Sequence, residues 1–320
     1  MVCSVQSQNH YNMGFLGIDT SNYTTSFAFF DGHEIVQSKK LLPVKEGEKG
    51  IRQSDAVFHH TKAYPQLLEE LLLKTGNNIE AVGVSVAPTT QVGSYMPCFL
   101  VGESVATAIA GSLGVPLFKY SHQQGHIAAA LFSASKTELM NERFLAFHVS
   151  GGTTDLVLCE PSESGIFKTT PFSSSSDLKA GQAVDRIGVK MGLKFPAGQG
   201  IEALALKSDK TFNNKIKLVD GKCSLSGLQN KCEKMLADGE SHEDVAKYLL
   251  TYIADCVRAM TEYALGELGE LPVVYAGGVM SNSIIQKLLS ESIKSSYFAE
   301  PQYSCDNAAG IAYLTYTQSR

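Results

Sequence analysis

The sequence predicts an α/β protein made of two similar lobes, and three observations lead there. The chain has 320 residues, about two average domains at ~150 residues each. Hydrophobic residues are 44% and charged residues 18%, a balance that supports a sizeable buried core and excludes wholesale disorder. One pattern also occurs twice, about half the chain apart: an apolar strand, a small-residue turn with one Asp and several hydroxyls, then a second apolar strand. Such a repeat is the mark of duplication.

The elements follow in order. Residues 1–13 are polar and patternless and read as an N-terminal extension, with Met13 a candidate native start. They lack the basic and apolar regions of a secretory signal. No apolar run reaches the ~18 residues of a membrane span, so the expected setting is the cytoplasm. Residues 15–19 are an apolar strand, 20–25 a hydroxyl-rich turn and 26–30 a second strand. Asp31-Gly32 then closes a tight hairpin into 33–38. Val57, Leu67, Leu68, Leu71 and Leu72 mark an amphipathic helix within 54–75. A strand at 81–87, a helix at 99–113 and a strand at 115–120 follow. The first lobe is placed at 14–138, with the boundary in the polar stretch 133–143.

The second lobe, 139–320, opens with a strand at 144–149, a turn at 150–155 and a strand at 156–160. Helices are expected at 178–192, 225–238, 242–268 and 281–294, with a strand at 273–276. Residues 207–222 read as a loop-rich insertion. Seven cysteines (Cys3, Cys98, Cys159, Cys223, Cys232, Cys256, Cys305) form no C-x-x-C pair. That argues against a disulfide framework or zinc ribbon and for a reducing compartment. The net charge of −5 does not indicate a nucleic-acid binder of the basic-surface type.

Five constellations could carry chemistry. In 121–130, Ser121 and Gln124 have capping-box spacing. His122 and His126 then stand at i and i+4, where both imidazoles can reach one metal; two surface histidines that bind nothing are the plain alternative. A metal would need a third ligand, a carboxylate from elsewhere. Gln123 stands where an H-E-x-x-H motif has glutamate, which disfavours a metalloprotease. The second constellation is the pair of turns, whose hydroxyls and N–H groups could cradle phosphate or form ordinary hairpins. The third is Gly277-Gly278 ahead of a helix that starts near Ser281 or Asn282. It would admit a flat ligand or an anion, or be a simple turn with Ser281 as cap. The fourth is Asp185, on a helix ahead of a Gly/Pro loop at 195–200. The fifth is Asp306, before a small-residue helix, either its cap or the missing third ligand.

Their order along the chain resembles the tRNA threonylcarbamoyladenosine transferase family, long labelled a glycoprotease of the M22 class, over roughly residues 14–318. Residues 121–130 are similar to its H-M-E-G-H segment, and residues 148–152 to its V-S-G-G-H turn. Asp185 matches its A-F-D-K aspartate and Gly198 its P-G-G loop. Residues 224–228 are similar to F-S-F-S-G-L, residues 276–282 to A-G-G-V-x-x-N, and residues 305–307 to C-T-D-N.

The resemblance implies an actin-like ATPase fold with a nucleotide cleft between the lobes. It implies an acyltransferase that moves threonylcarbamoyl from threonylcarbamoyl-AMP to the exocyclic amine of adenosine beside the tRNA anticodon. One divalent metal, iron or zinc, would sit on His122, His126 and Asp306. His148, Val149, Ser150, Gly151, Gly152, Asp185, Gly198, Gly277, Gly278 and Asn282 would bind the adenylate substrate, with Asp19 and Ser150 as catalytic candidates. Partners would be tRNA and proteins of a threonylcarbamoylation complex. Phosphate contacts could come from Lys39, Lys40, Lys45, Lys49 and Arg52, or from Lys207, Lys210, Lys215 and Lys217, although solvated faces are the simpler reading.

The chain departs from the family pattern at several places. Asp19 replaces Glu in the opening G-I-E-T-S, and Asn22-Tyr23-Thr24-Thr25 lacks the acidic pair. Residues 87–90 replace a G-P-G loop, Gln123 and Gln124 replace Met and Glu, and Thr153 replaces His. These changes motivate an alternative: a catalytically altered nucleotide-binding paralogue that serves as partner or regulator.

Overall fold

The computed structural model describes residues 13–21, 23–43, 51–304 and 308–320. They divide into two units: the described residues of Met1–Gly125 with Asp306–Arg320, and those of His126–Cys305.

The first unit is built on strands β1 (Gly14–Ser21), β2 (Thr24–Phe30), β3 (Ile35–Leu41), β4 (Ile79–Ala87) and β5 (Leu117–Ser121). Their order is β3-β2-β1-β4-β5. Short turns make β1, β2 and β3 antiparallel. The crossover helices α1 (Gln53–Thr75) and α2 (Phe99–Leu113) bring β4 and β5 back parallel, as parallel pairing requires. Every residue of β1 and β2 is buried, because both faces of the sheet are covered. Side chains alternate along a strand, so Leu16 and Ile18 turn one way, into a core with Leu67 and Leu71 of α1 and Ala106 of α2. Phe15 and Gly17 turn the other way, toward the C-terminal helix α10 (Ala309–Ser319). A Cβ on Gly17 would lie 2.6 Å from the Ala308 carbonyl oxygen. Phe15 and Phe30 both meet Tyr316 edge-on.

The second unit contains β6 (Phe144–Val149), β7 (Thr154–Pro161), β8 (Phe167–Ser174), β9 (Val273–Ala276) and β10 (Ser296–Phe298). Read from its β8 edge the order is β8-β7-β6-β9-β10, the winding of the first sheet. The same antiparallel meander is followed by the same two parallel strands. Helix α3 (His122–Ser133) runs across the division. The remaining helices are α4 (Ala180–Lys190), α5 (Gly198–Ala205), α6 (Ser226–Ala237), α7 (His242–Leu268), α8 (Ser283–Ser292) and α9 (Pro301–Ser304). Leu145, Phe147 and Val149 of β6 share a core with Ile253, Val257 and Met260 of α7. Helix α7 starts cleanly: the Ser241 side chain accepts from the Asp244 N–H, and Glu243 and Asp244 face the helix dipole.

Several expectations need correction. The hydroxyl-rich turn is shorter than expected, because Thr20, Ser21, Thr24 and Thr25 are buried strand residues. Two of their hydroxyls are bonded inside: Thr20 Oγ1 donates to the Cys98 carbonyl at 3.0 Å and accepts from Gly102 N at 3.1 Å, and Thr25 Oγ1 meets His60 Nδ1 at 2.8 Å. Asp155 belongs to β7, not to the turn. The Gly/Pro loop becomes helix α5 from Gly198 onward. Strands β8 and β10 were not expected. The first is a polar edge strand containing Pro171, and the second has only three residues. The division falls after Gly125 rather than at 138/139, and the C-terminal helix lies with the first unit, whose sheet it covers.

Residues 207–222 hold no helix or named strand. They are tied to α7 through Ser208 on Asp244 at 2.6 Å and Asn214 on Asp255 at 3.0 Å. Cys98, Cys159, Cys223, Cys232 and Cys256 are free, buried thiols. No helix among the described residues is long and apolar enough to cross a membrane.

Candidate active site

In the first unit the chemistry gathers at the end of β1. Asp19 is fully buried. Its Oδ1 accepts a short hydrogen bond from the Ser85 hydroxyl of β4 and one from His122 Nδ1 at 3.0 Å, and Ser21 N approaches Oδ2 at 3.4 Å. His122 is held in place by the start of α3. Gln124 N donates to Ser121 Oγ at 3.2 Å and Ser121 N to Gln124 Oε1 at 3.0 Å, the expected capping box. Gln123 N also donates to the Pro88 carbonyl at 3.0 Å.

Two further groups surround Asp19. His60 of α1 is fully buried with Nδ1 on Thr25 Oγ1 at 2.8 Å. Burial lowers its pKa from 6.5 to about 4, against the pull of the Asp19 carboxylate and the Ser21 backbone. Burial, and then Asp19, push the Cys98 thiol up to about 12, so it is no nucleophile.

In the second unit the turn 150–153 closes on itself. Ser150 Oγ meets Thr153 Oγ1 at 2.9 Å and accepts from Gly152 N at 3.2 Å and Thr153 N at 3.3 Å. The turn rests on the start of α4. Gly181 N donates to the Ser150 carbonyl at 3.1 Å, and a Cβ on Gly181 would lie 2.6 Å from Gly151 N. Gly277 has φ +96°, and its Cβ would lie 2.8 Å from the Val149 carbonyl carbon, so the end of β9 presses on the end of β6. A Cβ on Gly151, Gly152, Gly198 or Gly278 would meet nothing within 4 Å.

The other expected residues take different positions. His148 of β6 is 3% exposed, and its ring lies tilted against that of His126 with centroids 4.3 Å apart. It therefore faces α3 rather than joining the 150–153 turn. Val149 is buried and meets Gly277 through its backbone. Asp185 uses Oδ1 to accept from Ala197 N at 2.8 Å, at the start of α5. Burial raises its pKa, and the Ala197 N–H opposes this. Asn282, not Ser281, caps α8: its Oδ1 accepts from Ile284 N at 3.1 Å and Ile285 N at 3.2 Å. Asp306 lies outside the described residues. Among the described residues no group of three or more His, Cys, Asp or Glu side chains could hold a metal.

These residues can be set against known proteins. The profile of the TsaD family, tRNA N6-adenosine threonylcarbamoyltransferase, matches residues 33–313. The chain belongs to this family. A tRNA N6-adenosine threonylcarbamoyltransferase of Streptococcus pneumoniae serotype 2 (strain D39 / NCTC 7466) is 30% identical over 95% of this chain and 91% of its own length. The protein of that name from strain ATCC 700669 / Spain 23F-1 is 31% identical with the same coverage. The family is one of acyltransferases that act in tRNA threonylcarbamoylation.

Solved structures support the actin-like ATPase fold. Full-length HypF, in a phosphate- and nucleotide-bound form, superposes with a TM-score of 0.59 at 13% identity. The match covers 97% of this chain and 47% of HypF. Component A of the (R)-2-hydroxyglutaryl-CoA dehydratase of Acidaminococcus fermentans gives 0.53 at 15% identity, covering 97% of this chain and all of that one.

Where the chain departs from the threonylcarbamoyltransferase pattern, the new residues are built into the fold. Gln124, in place of Glu, completes the α3 cap. Thr24, in place of an acidic residue, is a buried residue of β2 opposite Ser21. Thr153, in place of His, closes the Ser150 turn.

Sequence reasoning missed Ser85, His60 and Asp177. Asp177 accepts from Ser224 Oγ at 2.6 Å, Ser226 Oγ, Leu225 N at 2.7 Å and Leu178 N at 2.6 Å. Burial pushes its pKa up, but these donors outweigh it and hold the carboxyl well below the usual range. Its partners other than Leu178 are 47 to 49 positions away, beyond any local pattern. The only sequence signal was the S-L-S-G-L resemblance at 224–228. Of the basic clusters, Lys210 is paired with Asp244 at 3.0 Å and Glu240 at 3.5 Å, while Lys45 and Lys49 lie outside the described residues.

Proposed function

We propose that this chain transfers threonylcarbamoyl from threonylcarbamoyl-AMP to the N6 amine of the adenosine beside the tRNA anticodon. The amine nitrogen bonds to the carbamoyl carbon and gives up one proton to solvent, the bond from that carbon to the phosphate oxygen breaks, and AMP leaves with the electron pair. The observation that carries this reading is His122 at the first turn of α3, bonded through Nδ1 to the buried Asp19 carboxylate, with His126 one turn on. A metal-ligating histidine characteristically gives its second ring nitrogen to a carboxylate, so these residues fit a metal. His122, His126 and Asp306 would hold one divalent iron or zinc ion. When bound, the ion would supply Lewis acidity toward the carbamoyl oxygen or the phosphate.

The chain's own groups do the rest. The N–H groups of Gly151 and Gly152 and the Ser150 hydroxyl receive the phosphate or the threonyl group and oppose charge developing on the carbamoyl oxygen. Asp185, anchored at one oxygen, offers the other to ribose hydroxyls. Gly198, Gly277 and Gly278 let the adenosine approach backbone, and Asn282 supports that slot by capping α8. The expected setting is the cytoplasm. With Lys210 internally paired and a net charge of −5, the phosphate contacts that tRNA needs fall to a local patch or to partner proteins.

The test is purified protein with threonylcarbamoyl-AMP and unmodified tRNA, with and without candidate partners, read as modified nucleoside by mass spectrometry. Product is expected. No product in any combination, with adenine-nucleotide binding retained, would favour the altered paralogue. The Thr153 hydroxyl on Ser150 Oγ at 2.9 Å, built where the family has His, is the observation behind that second reading.

A further inference from the structure

We propose that Asp19 is a positioning residue: it fixes the tautomer and ring orientation of His122 and thereby sets the affinity for metal. The proposal rests on the metal reading above and goes beyond it, because Asp19 is neither a ligand nor a base in it.

An ionised carboxylate only accepts hydrogen bonds. With Asp19 Oδ1 3.0 Å from His122 Nδ1, the imidazole must donate from Nδ1. A neutral ring then carries its lone pair on Nε2, the atom that can bind a metal. Both ends of this bond are fixed. Asp19 is fully buried on β1, where water does not compete, and the Ser85 hydroxyl of β4 holds the same oxygen. The backbone of β1 is pressed against Ala308 at Gly17. His122 is held by the Ser121–Gln124 capping box and by Gln123 N on the Pro88 carbonyl. Two donors already converge on Oδ1. That is the arrangement of a group that orients its neighbour rather than of one turned toward substrate. Ser85 belongs to the same device, since it keeps the carboxylate aimed at the ring.

The test uses the full chain as wild type and as Asp19→Asn, Ser85→Ala and His122→Ala. Imidazole nitrogen–proton NMR of the metal-free protein reads the tautomer. Titration with Co²⁺ or Zn²⁺, following the cobalt absorption bands, reads affinity and geometry. Wild type is expected to hold His122 as the Nδ1–H form. Asp19→Asn is expected to lose that preference and to bind metal 10- to 100-fold more weakly, with altered cobalt bands and an intact fold. Ser85→Ala is expected to show the same change at smaller size, and it decides the matter if Asp19→Asn does not fold. Either folded variant keeping the wild-type tautomer, affinity and cobalt bands would overturn the positioning role. If His122→Ala binds metal as wild type does, the metal reading fails and this proposal fails with it. If only Asp19→Asn and Ser85→Ala behave as wild type, the metal reading stands and the positioning role alone is lost.

Discussion

His60 shows how one residue can link the end of β1 to pH. It is buried and neutral, with a pKa near 4 against 6.5 for an ordinary histidine. Between those values the unfolded chain binds more protons than the folded one, so stability falls as pH is lowered. The contribution is whole above pH 6.5 and gone below about pH 4, at most about 3 kcal/mol. Denaturant unfolding across this range should show the loss. His60→Asn, which leaves Thr25 a hydrogen-bonding partner, should flatten that part of the profile. Glycines 277 and 278 are adjacent but differ in kind. Gly277→Ala forces a side chain to φ +96° and into the Val149 backbone, and should cost more than about 2 kcal/mol. Gly278→Ala meets open space and should leave the Tm within a degree or two. If Gly278 lines the adenosine slot, the same change should still weaken adenylate binding in a calorimetric titration.

At the scale of elements, the helix starts are set by side chains that the sequence shows only in part. Ser121 and Gln124 were legible as a box because the motif is local, and the reciprocal bonds are present. The sequence offers Ser281 as the cap of α8, and geometry chooses Asn282 because its amide oxygen reaches two N–H groups of the first turn. Asn282→Ala should therefore lower unfolding stability by about 1 kcal/mol, whereas Asn282→Asp should keep it. Equal stability of wild type and Asn282→Ala would remove the cap from the account. Helices α2 and α7 match their expected spans because periodic apolar residues report a helix directly. Strand β8 escaped notice because its polar, proline-bearing sequence becomes a strand only by pairing with β7.

Across the whole molecule, the two sheets share one winding, and the chain's last helix completes the first sheet. Gly17, Phe15, Phe30 and Gly83 all meet α10. A chain truncated after Ser304 should therefore lose amide-exchange protection throughout β1, β2 and β4, while β6 and β7 keep theirs. Retained protection in β1 would show that α10 is dispensable.

The sequence by itself determined the duplication, most helices, the α3 cap and the family, because each is written in local spacing or in motif order. It also supplied the candidate residues. Tertiary structure alone decided what those residues touch. His148 turned from the substrate turn to His126, Asn282 became a cap, and Asp19 found His122 and Ser85 at separations of 103 and 66 residues. The physical reason is that a buried polar group takes its role from whichever donors and acceptors folding brings to it, and pairings across such distances leave no periodic trace in the chain.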